Sequence, residues 1–186
     1  MQGFPKLPKD LPVPQDDGAC AHLLGEKLPQ VTLTSSRSNQ LELSKIKGRV
    51  VFYCYPMTAQ PGIPIPDGWE QIPGALGCTF QSCAFRDHHA ELQALGVQVY
   101  GISTQDSSYQ QEAVERLHLP FELLSDADFA FTTSFRLPTF EVEGKRLIKR
   151  LTLIADDGKI VKVFYPVFPP DRNAQEVIEW LMQSAA

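Results

Sequence analysis

The feature that most constrains the fold of this chain is the uninterrupted apolar run RVVFYCYP at residues 49–56. The run is rich in β-branched and aromatic residues, a composition typical of a strand that is buried on both faces. Such a strand needs a packing layer on each side of its sheet. The run therefore predicts the central strand of an α/β domain.

Helical and strand patterns alternate after this run. Apolar residues at helical spacing predict a helix over 79–95, the segment VQVYGIST predicts the next strand, and SSYQQEAVERL predicts a second helix. The segment RLIKRLTLIADDGKIVKVFYPV then predicts a hairpin that closes at Asp157-Gly158, and a terminal helix follows. This order indicates a thioredoxin-like fold, in which a mixed central sheet has helices on both faces.

Proline and glycine divide the chain into three kinds of segment. Residues 1–29 contain five of the 15 prolines and predict an N-terminal arm with a short helical turn near Cys20. Residues 30–186 form the predicted domain, which begins with a β-hairpin made by QVTLTSS and LELSKIKG. Within it, residues 57–77 hold four prolines and four glycines, so they predict a long loop without regular structure.

Charge and composition exclude several functional classes. The net charge is -5 and the 17 Lys and Arg residues are scattered, so we expect neither nucleic-acid binding nor a polybasic membrane anchor. The N-terminal residues lack a secretory signal pattern and no window is long enough to span a membrane, which predicts a cytoplasmic protein. Four cysteines are too few for a disulfide framework, so a close pair is more plausibly catalytic or metal-binding.

Such a pair, Cys78 and Cys83, lies in IPGALGCTFQSCAFRD at the start of the first predicted helix. If Gly77 is the N-cap, Cys78 lies in the first turn, where unpaired N–H groups and the helix dipole favour a thiolate. The two Cα atoms of an intact helix would be roughly 8.6 Å apart, beyond the reach of a disulfide. An unwound turn would let Cys83 resolve a sulfenic acid on Cys78, as in a peroxidase. The alternative is that both are small apolar core residues.

The segment GCTFQSCAFRD resembles the active-site segment of atypical two-cysteine peroxiredoxins of the Q type, also called bacterioferritin comigratory proteins. The resemblance extends over residues 27–181, because ELQALGVQVYGIST, FELLSDADF, LIADDGKI and VIEWL follow in the same order. It implies a thiol peroxidase that reduces hydrogen peroxide and organic hydroperoxides and is recycled by thioredoxin or a glutaredoxin-like dithiol donor. It further implies a monomer or weak homodimer without cofactor, metal or membrane partner.

The resemblance also implies roles for individual residues. Cys78 matches the peroxidatic cysteine, Cys83 matches the resolving cysteine, and Arg150 matches the arginine that contacts the thiolate and the peroxide. A guanidinium suits this task because it keeps its charge and donates hydrogen bonds to two neighbouring atoms. Without the resemblance, Arg150 would be interpreted as a solvated surface charge.

The chain departs from the family pattern just before Cys78. The family has a proline and a threonine seven and three residues before the cysteine, where this chain has Gln71 and Ala75. An insertion after Pro56 would explain the difference and would make Pro56 the family proline. The active-site hydroxyl would then come from Thr58, if the loop folds back, or from Thr79.

Three further side chains have alternative interpretations. Cys54 lies inside the predicted central strand and is expected to be inert, and Cys20 is interpreted as an exposed bystander or an alternative resolving thiol. Trp69 in the inserted loop is expected to pack over the loop, the alternative being a lid or a docking point for a partner.

Two other functions compete with the peroxidase. A protein of the same fold could deliver a metal or sense redox state, with two thiolates and a distant histidine as ligands, but metal delivery would favour closer cysteines and an extracytoplasmic location. A general dithiol oxidoreductase would normally have two residues between its cysteines, whereas this chain has four.

Overall fold

The computed structural model describes residues 6–185, and a seven-stranded mixed sheet forms its centre. The order of strands across this sheet is β2-β1-β5-β4-β3-β8-β9, and β6 and β7 form a separate two-stranded sheet. The strands are β1 (Thr32–Ser35), β2 (Gln40–Glu42), β3 (Arg49–Cys54), β4 (Val97–Ser103), β5 (Leu123–Ser125), β6 (Thr139–Val142), β7 (Lys145–Ile148), β8 (Leu151–Asp156) and β9 (Lys159–Phe164).

Strand β3 is an interior strand and is buried, as its apolar sequence predicts, but it is the fifth of the seven strands, and β4 occupies the centre. It pairs in parallel with β4 and antiparallel with β8. Successive side chains of a strand point to opposite faces, so β3 contributes to two separate apolar layers. Its alternate residues enter these layers as Val50, Phe52 and Cys54 on one face and Val51, Tyr53 and Tyr55 on the other.

Helices cover both faces of the sheet. Buried residues of α1, α2, α3 and α5 pack in the layer that contains Tyr53, which we call the α1 face. Phe131 of the short α4 packs in the layer that contains Phe52, which we call the α4 face. The helices are α1 (Cys78–Asp87), α2 (His89–Ala94), α3 (Ser107–Leu117), α4 (Ala130–Ser134) and α5 (Asn173–Ser184). Within residues 6–185 no helix has the length and apolar character to cross a membrane.

The N-terminal segment completes the α4 face. Cys20, Leu23 and Leu28 are buried there, and Lys27 forms an isolated β-bridge with Lys159 of β9. Hydrogen-bonded turns, rather than a helix, occupy the region near Cys20. Residues 1–5 of the predicted arm lie outside the described residues.

Two predicted elements are divided in the structure. The prediction of a single helix over 79–95 is wrong, because the first helix ends at Asp87 and a second helix begins at His89. The break at His88 redirects the chain so that Leu92 of α2 is buried beside β4. The predicted C-terminal hairpin does turn at Asp157-Gly158, but its first residues belong instead to β7.

Candidate active site

Cys78 is the first residue of α1 and is buried, with 3% of its surface exposed. Gly77 is the N-cap, and its φ of 118° is one that L side chains rarely adopt. A Cβ atom on Gly77 would lie 2.3 Å from Cγ of Pro170, so glycine is also required by the close approach of this neighbour. The start of α1 is therefore fixed against the turn that precedes α5.

Within residues 6–185, two donors point at the Cys78 sulfur. Nη2 of Arg150 donates to Sγ at 3.2 Å, and the backbone N–H of Met57 donates to it at 3.5 Å. Sγ in turn contacts the carbonyl oxygen of Ala75 at 3.7 Å. Hydrogen bonds to a charged group favour its charged form, and the N-terminus of α1 acts in the same direction. Two donors and the start of a helix therefore converge on Sγ of Cys78.

Arg150 is held rigidly beneath this sulfur. It lies just before β8 and is 3% exposed, so the interpretation as a solvated surface charge is wrong. Nη1 donates to Oε1 of Gln81 at 2.6 Å, and Nη2 donates to the carbonyl oxygens of Ala75 at 3.0 Å and Gly74 at 3.2 Å. A buried guanidinium needs such acceptors, and here they also fix its position.

A second layer of polar side chains holds Gln81. Its Nε2 donates to Oδ1 of Asn173 at 3.0 Å, and the hydroxyl of Thr152 donates to the same oxygen at 2.7 Å. All three residues are fully buried. The network joins α1, β8 and α5, so Arg150 depends on three elements that are far apart in the chain.

An apolar cavity of about 560 Å³ opens beside the two cysteines. Cys78, Thr79 and Cys83 line it from α1, and the inserted loop supplies most of the opposite wall. The apolar wall consists of Met57, Ala59, Ile65, Trp69, Leu76 and Phe80, and the polar lining of Arg86, Asp87, His88 and Asp171. The cavity gives a small molecule with an apolar part access to the start of α1.

Cys83 lies one and a half turns further along α1 and is half-buried. Burial raises the pKa of its thiol, and the positive charge of Arg86 opposes this effect. Arg86 donates to Asp87 at 2.9 Å and to the carbonyl oxygen of Leu117 at 2.8 Å. Cys83 therefore has more solvent access than Cys78 but fewer groups that favour its thiolate.

The structure places the two candidate threonines in different surroundings. Thr58 is buried, and its hydroxyl donates to Oε1 of Gln105 at 3.3 Å. Thr79 is partly exposed on the cavity wall. Among the described residues neither hydroxyl forms a hydrogen bond with Cys78. Which hydroxyl, if either, contacts the substrate stays a prediction.

Cys20 and Cys54 are on the α4 face, so the central sheet separates them from Cys78. Burial raises the pKa of the Cys20 thiol to about 12 and raises that of Cys54 well above its usual range. The interpretation of Cys20 as exposed is wrong, because Leu23 and neighbouring residues carry it into the core. This location also argues against Cys20 as an alternative resolving thiol.

Trp69 anchors the inserted loop, as expected. It lies in a short 3-10 turn over Trp69–Gln71 and is buried, with its ring centroid 6.0 Å from that of Phe140 on β6. Leu147 of β7 belongs to the same apolar cluster. The loop is therefore packed against the β6–β7 hairpin, although its sequence predicted no regular structure at all.

Sequence reasoning missed four contributors to the site. They are Met57, Gln105, Thr152 and Asn173, which act through a backbone N–H group or through long-range polar contacts. A hydroxyl at the second position of a β-strand and an amide at the start of a helix are common surface features. Only the tertiary structure shows that they are buried together.

Comparison with known proteins identifies the family of this chain. The family described as Redoxin matches residues 23–178. A chloroplastic peroxiredoxin Q of Populus jackii is 33% identical over 162 residues, which span 86% of this chain and 68% of that protein. A peroxiredoxin named bcp from Coxiella burnetii is 30% identical over 159 residues, which span 83% of this chain and 95% of that protein.

A solved structure supports the same conclusion. The peroxidoxin BcpB of Mycobacterium tuberculosis is 26% identical and superimposes with a TM-score of 0.70 over 86% of this chain and 96% of that one. The thioredoxin-like fold predicted from the sequence is thereby confirmed. With its matched family, its Q-type and bcp relatives and its cysteine at a helix start, this chain belongs to the redoxin family as a peroxiredoxin of the Q and bcp group, a thiol peroxidase.

Proposed function

We propose that Cys78 is the peroxidatic residue and that Cys83 resolves the product as an intramolecular disulfide. The contact of 3.2 Å between Nη2 of Arg150 and Sγ of Cys78 carries this proposal, because it pairs a fixed cation with one of four thiols. The alternative of two inert apolar cysteines does not explain why a buried guanidinium is directed at Cys78.

In the first step, the Cys78 thiolate attacks the terminal oxygen of a hydroperoxide. An S–O bond forms, the O–O bond breaks, and the leaving alkoxide or hydroxide takes a proton to become alcohol or water. Sulfur is oxidised to the sulfenic acid and the peroxide is reduced. Arg150 stabilises the negative charge that grows on the leaving oxygen, since its guanidinium is already oriented by Gln81.

In the second step, the Cys83 thiol attacks the sulfenic sulfur. An S–S bond forms, the S–O bond breaks, and the hydroxyl leaves as water with the thiol proton. Both cysteines lie within α1, so the first turns of this helix must unwind before the sulfur atoms can meet. The intact helix thus serves the attack on peroxide, and the unwound helix serves resolution.

In the third step, an external dithiol reduces the disulfide and is itself oxidised. Thioredoxin or a glutaredoxin-like protein is the proposed donor, with the chain acting as a monomer or weak homodimer in the cytoplasm. The half-buried position of Cys83 supports this order of events, because a donor thiol needs access to one of the two sulfur atoms.

The shape of the cavity supports a wider choice of substrate than hydrogen peroxide. Side chains of the inserted loop, among them Ile65 and Trp69, give it an apolar wall beside Cys78. Such a wall stabilises an alkyl or aryl group while the peroxide oxygen atoms reach Sγ. We therefore expect organic hydroperoxides to be reduced as well as hydrogen peroxide.

Single-turnover oxidation by stoichiometric peroxide, without added metal, tests the cysteine roles. We expect Cys78→Ser to lose rapid peroxide consumption entirely. Cys83→Ser should keep the first oxidation and accumulate sulfenic acid, detectable by a dimedone adduct, while turnover with a dithiol donor stops. Cys20→Ser is the matched control and should behave as the parent protein.

Two outcomes would overturn the assignment. The first is peroxide consumption by Cys78→Ser at the parental rate. The second is an oxidised parent protein in which peptide mass spectrometry finds no crosslink between Cys78 and Cys83 although peroxide has been consumed.

A further inference from the structure

The inserted loop begins beside a glutamine side chain that the proposed mechanism does not use. Gln105 lies in the turn between β4 and α3 and is half-buried. We propose that Gln105 is a positioning residue that holds the backbone at Thr58 so that the N–H group of Met57 points at the Cys78 sulfur. The proposal rests on the proposed role of Cys78 as the reactive thiol.

The side-chain amide of Gln105 forms hydrogen bonds with both backbone polar groups of Thr58. Its Oε1 accepts from the backbone N–H of Thr58 at 3.1 Å, and its Nε2 donates to the carbonyl oxygen of Thr58 at 3.2 Å. The Thr58 hydroxyl donates to the same Oε1 at 3.3 Å. A primary amide carries an acceptor and two donors on one planar group, so it can pair with a peptide as a neighbouring strand would.

Gln105 is itself well placed to act as a fixed support. The hydroxyl of Ser125 on β5 donates to the backbone carbonyl oxygen of Gln105 at 2.7 Å, and the backbone N–H of Gln105 donates to Oγ of Ser103 at 3.4 Å. The next residue, Asp106, caps α3 by accepting from the N–H of Tyr109 at 2.8 Å. Gln105 is thus tied to two strands of the central sheet and directly precedes the residue that caps α3.

The backbone that Gln105 binds is next to the residue that contacts the reactive sulfur. Met57 is adjacent to Thr58, and its N–H donates to Sγ of Cys78 at 3.5 Å. The hydroxyl of Tyr109 provides a second donor to the carbonyl oxygen of Thr58 at 3.0 Å. If the Gln105 amide is removed, one donor to this carbonyl remains but the N–H of Thr58 loses its acceptor. The chain at Met57 can then turn away from Cys78.

Alkylation of Cys78 by iodoacetamide tests the proposal without relying on peroxide chemistry. The rate is followed by peptide mass spectrometry between pH 5 and 10 for the parent protein, Gln105→Ala and Gln105→Met. The matched control is Gln98→Ala, since Gln98 lies on β4 and its side-chain amide likewise donates to a backbone carbonyl, that of Lys47, but on an exposed surface. Circular dichroism and thermal melting establish that each variant is folded.

Charged and titratable groups around Cys78 are the same in every variant, so differences between variants report on Gln105. From the packed elements and the cavity wall these groups are Arg150, Tyr53, Tyr55, Cys83, Arg86, Asp87, His88 and Asp171. Peroxide consumption by the parent protein and by each variant is also measured once, at neutral pH.

We expect the pH midpoint of Cys78 alkylation to rise by about one unit in Gln105→Ala, which corresponds to about a tenfold loss of rate below the midpoint. Gln105→Met keeps the size of the side chain but loses both the acceptor and the donor to Thr58, so the same rise is expected. Gln98→Ala should match the parent protein. A merely structural role would lower the melting temperature of Gln105→Ala and leave the midpoint unchanged.

Unchanged midpoints in both Gln105 variants would overturn the proposal. If Gln105→Ala is unfolded, Gln105→Met decides alone, and a parental midpoint in that variant overturns the proposal. A parent protein that shows the alkylation pattern but does not consume peroxide would instead overturn the proposed function and leave the positioning role standing.

Discussion

Two pairs of cysteines lie on opposite faces of the central sheet, and their surroundings differ completely. Cys20 and Cys54 are on the α4 face among apolar side chains, where burial raises the pKa of both thiols. Cys78 and Cys83 are on the α1 face, where the sulfur of Cys78 receives a guanidinium and a backbone N–H group. A buried cysteine can thus lie among apolar side chains, as Cys54 does, or beside hydrogen-bond donors, as Cys78 does.

The difference shows that solvent exposure alone does not identify a reactive thiol. Cys20 and Cys78 are 4% and 3% exposed, so exposed surface does not separate them. What separates them is the set of donors around the sulfur and the cavity beside it. The donors and the cavity can be changed separately, by substitutions at Arg150 and at Ile65.

Removal of the guanidinium should make the surroundings of Cys78 resemble those of Cys54. We expect Arg150→Met to lower the second-order rate with hydrogen peroxide by about 10² to 10³, as removal of a donor at developing charge does in other enzymes. Stopped-flow oxidation of the reduced protein measures this rate. The free energy of unfolding should also fall by about 1 to 3 kcal/mol, because Gln81 and Ala75 lose their donor.

Arg150→Lys is the companion variant because it keeps the charge and loses the forked geometry. Its rate should lie between those of the parent protein and Arg150→Met. A rate within threefold of the parent for both variants, in folded protein, would show that the contrast between the two cysteine pairs has another origin.

The cavity can be tested through two exposed isoleucines of the inserted loop. Ile65, which lines the cavity beside the cysteines, is 40% exposed, and Ile63, which is absent from that lining, is 50% exposed. We expect Ile65→Ser to lower kcat/KM for cumene hydroperoxide about fivefold, because the apolar group of the substrate loses a contact. The rate with hydrogen peroxide should not change.

Ile63→Ser serves as the matched control and should leave both substrates unaffected. Equal losses for hydrogen peroxide and cumene hydroperoxide in Ile65→Ser would mean that the loop acts on the cysteine and not on the substrate. The cavity would then have no role in the contrast between the two faces.

The smallest effect on the rate is expected on the α4 face, where Cys20→Ala should leave peroxide turnover unchanged. Its effect should appear in stability at alkaline pH. The pKa of Cys20 is raised from 9.0 to about 12 on folding, so the stabilising contribution is complete below pH 9.0 and is lost as pH rises to about 12. In this window the slope is about 1.4 kcal/mol per pH unit.

Urea unfolding between pH 8 and 11 measures this contribution. The free energy of unfolding should fall less steeply with pH in Cys20→Ala than in the parent protein. An identical slope in both proteins would indicate that Cys20 ionises in the folded state as easily as in the unfolded chain, which would remove part of the contrast.

Local sequence patterns were sufficient for much of the fold and for the centre of the site. The apolar run of β3 and the turn at Asp157-Gly158 were predicted because they depend on short-range preferences. The helix start at Cys78 follows from Gly77 directly before it. Arg150 was assigned only through family resemblance, and the structure places it against Cys78.

The remaining features depend on contacts between distant parts of the chain. Cys20 was interpreted as exposed because its proline-rich neighbours suggested an arm, whereas Leu23 and Leu28 bury the segment. The break at His88 depends on how α2 meets the sheet, which no periodicity within 79–95 encodes. The bonds of Gln105 to Thr58 likewise join residues 47 positions apart.

Both tryptophans of the chain lie in segments that neighbour the helix carrying the two cysteines. Trp69 lines the cavity on the loop side, and Trp180 of α5 packs against the apolar layer that contains Cys78 and Phe85. Unwinding of α1 would alter the polarity around each indole. Oxidation of the unlabelled protein should therefore change its intrinsic fluorescence, so that tryptophan emission can be used to follow the steps of the catalytic cycle over time.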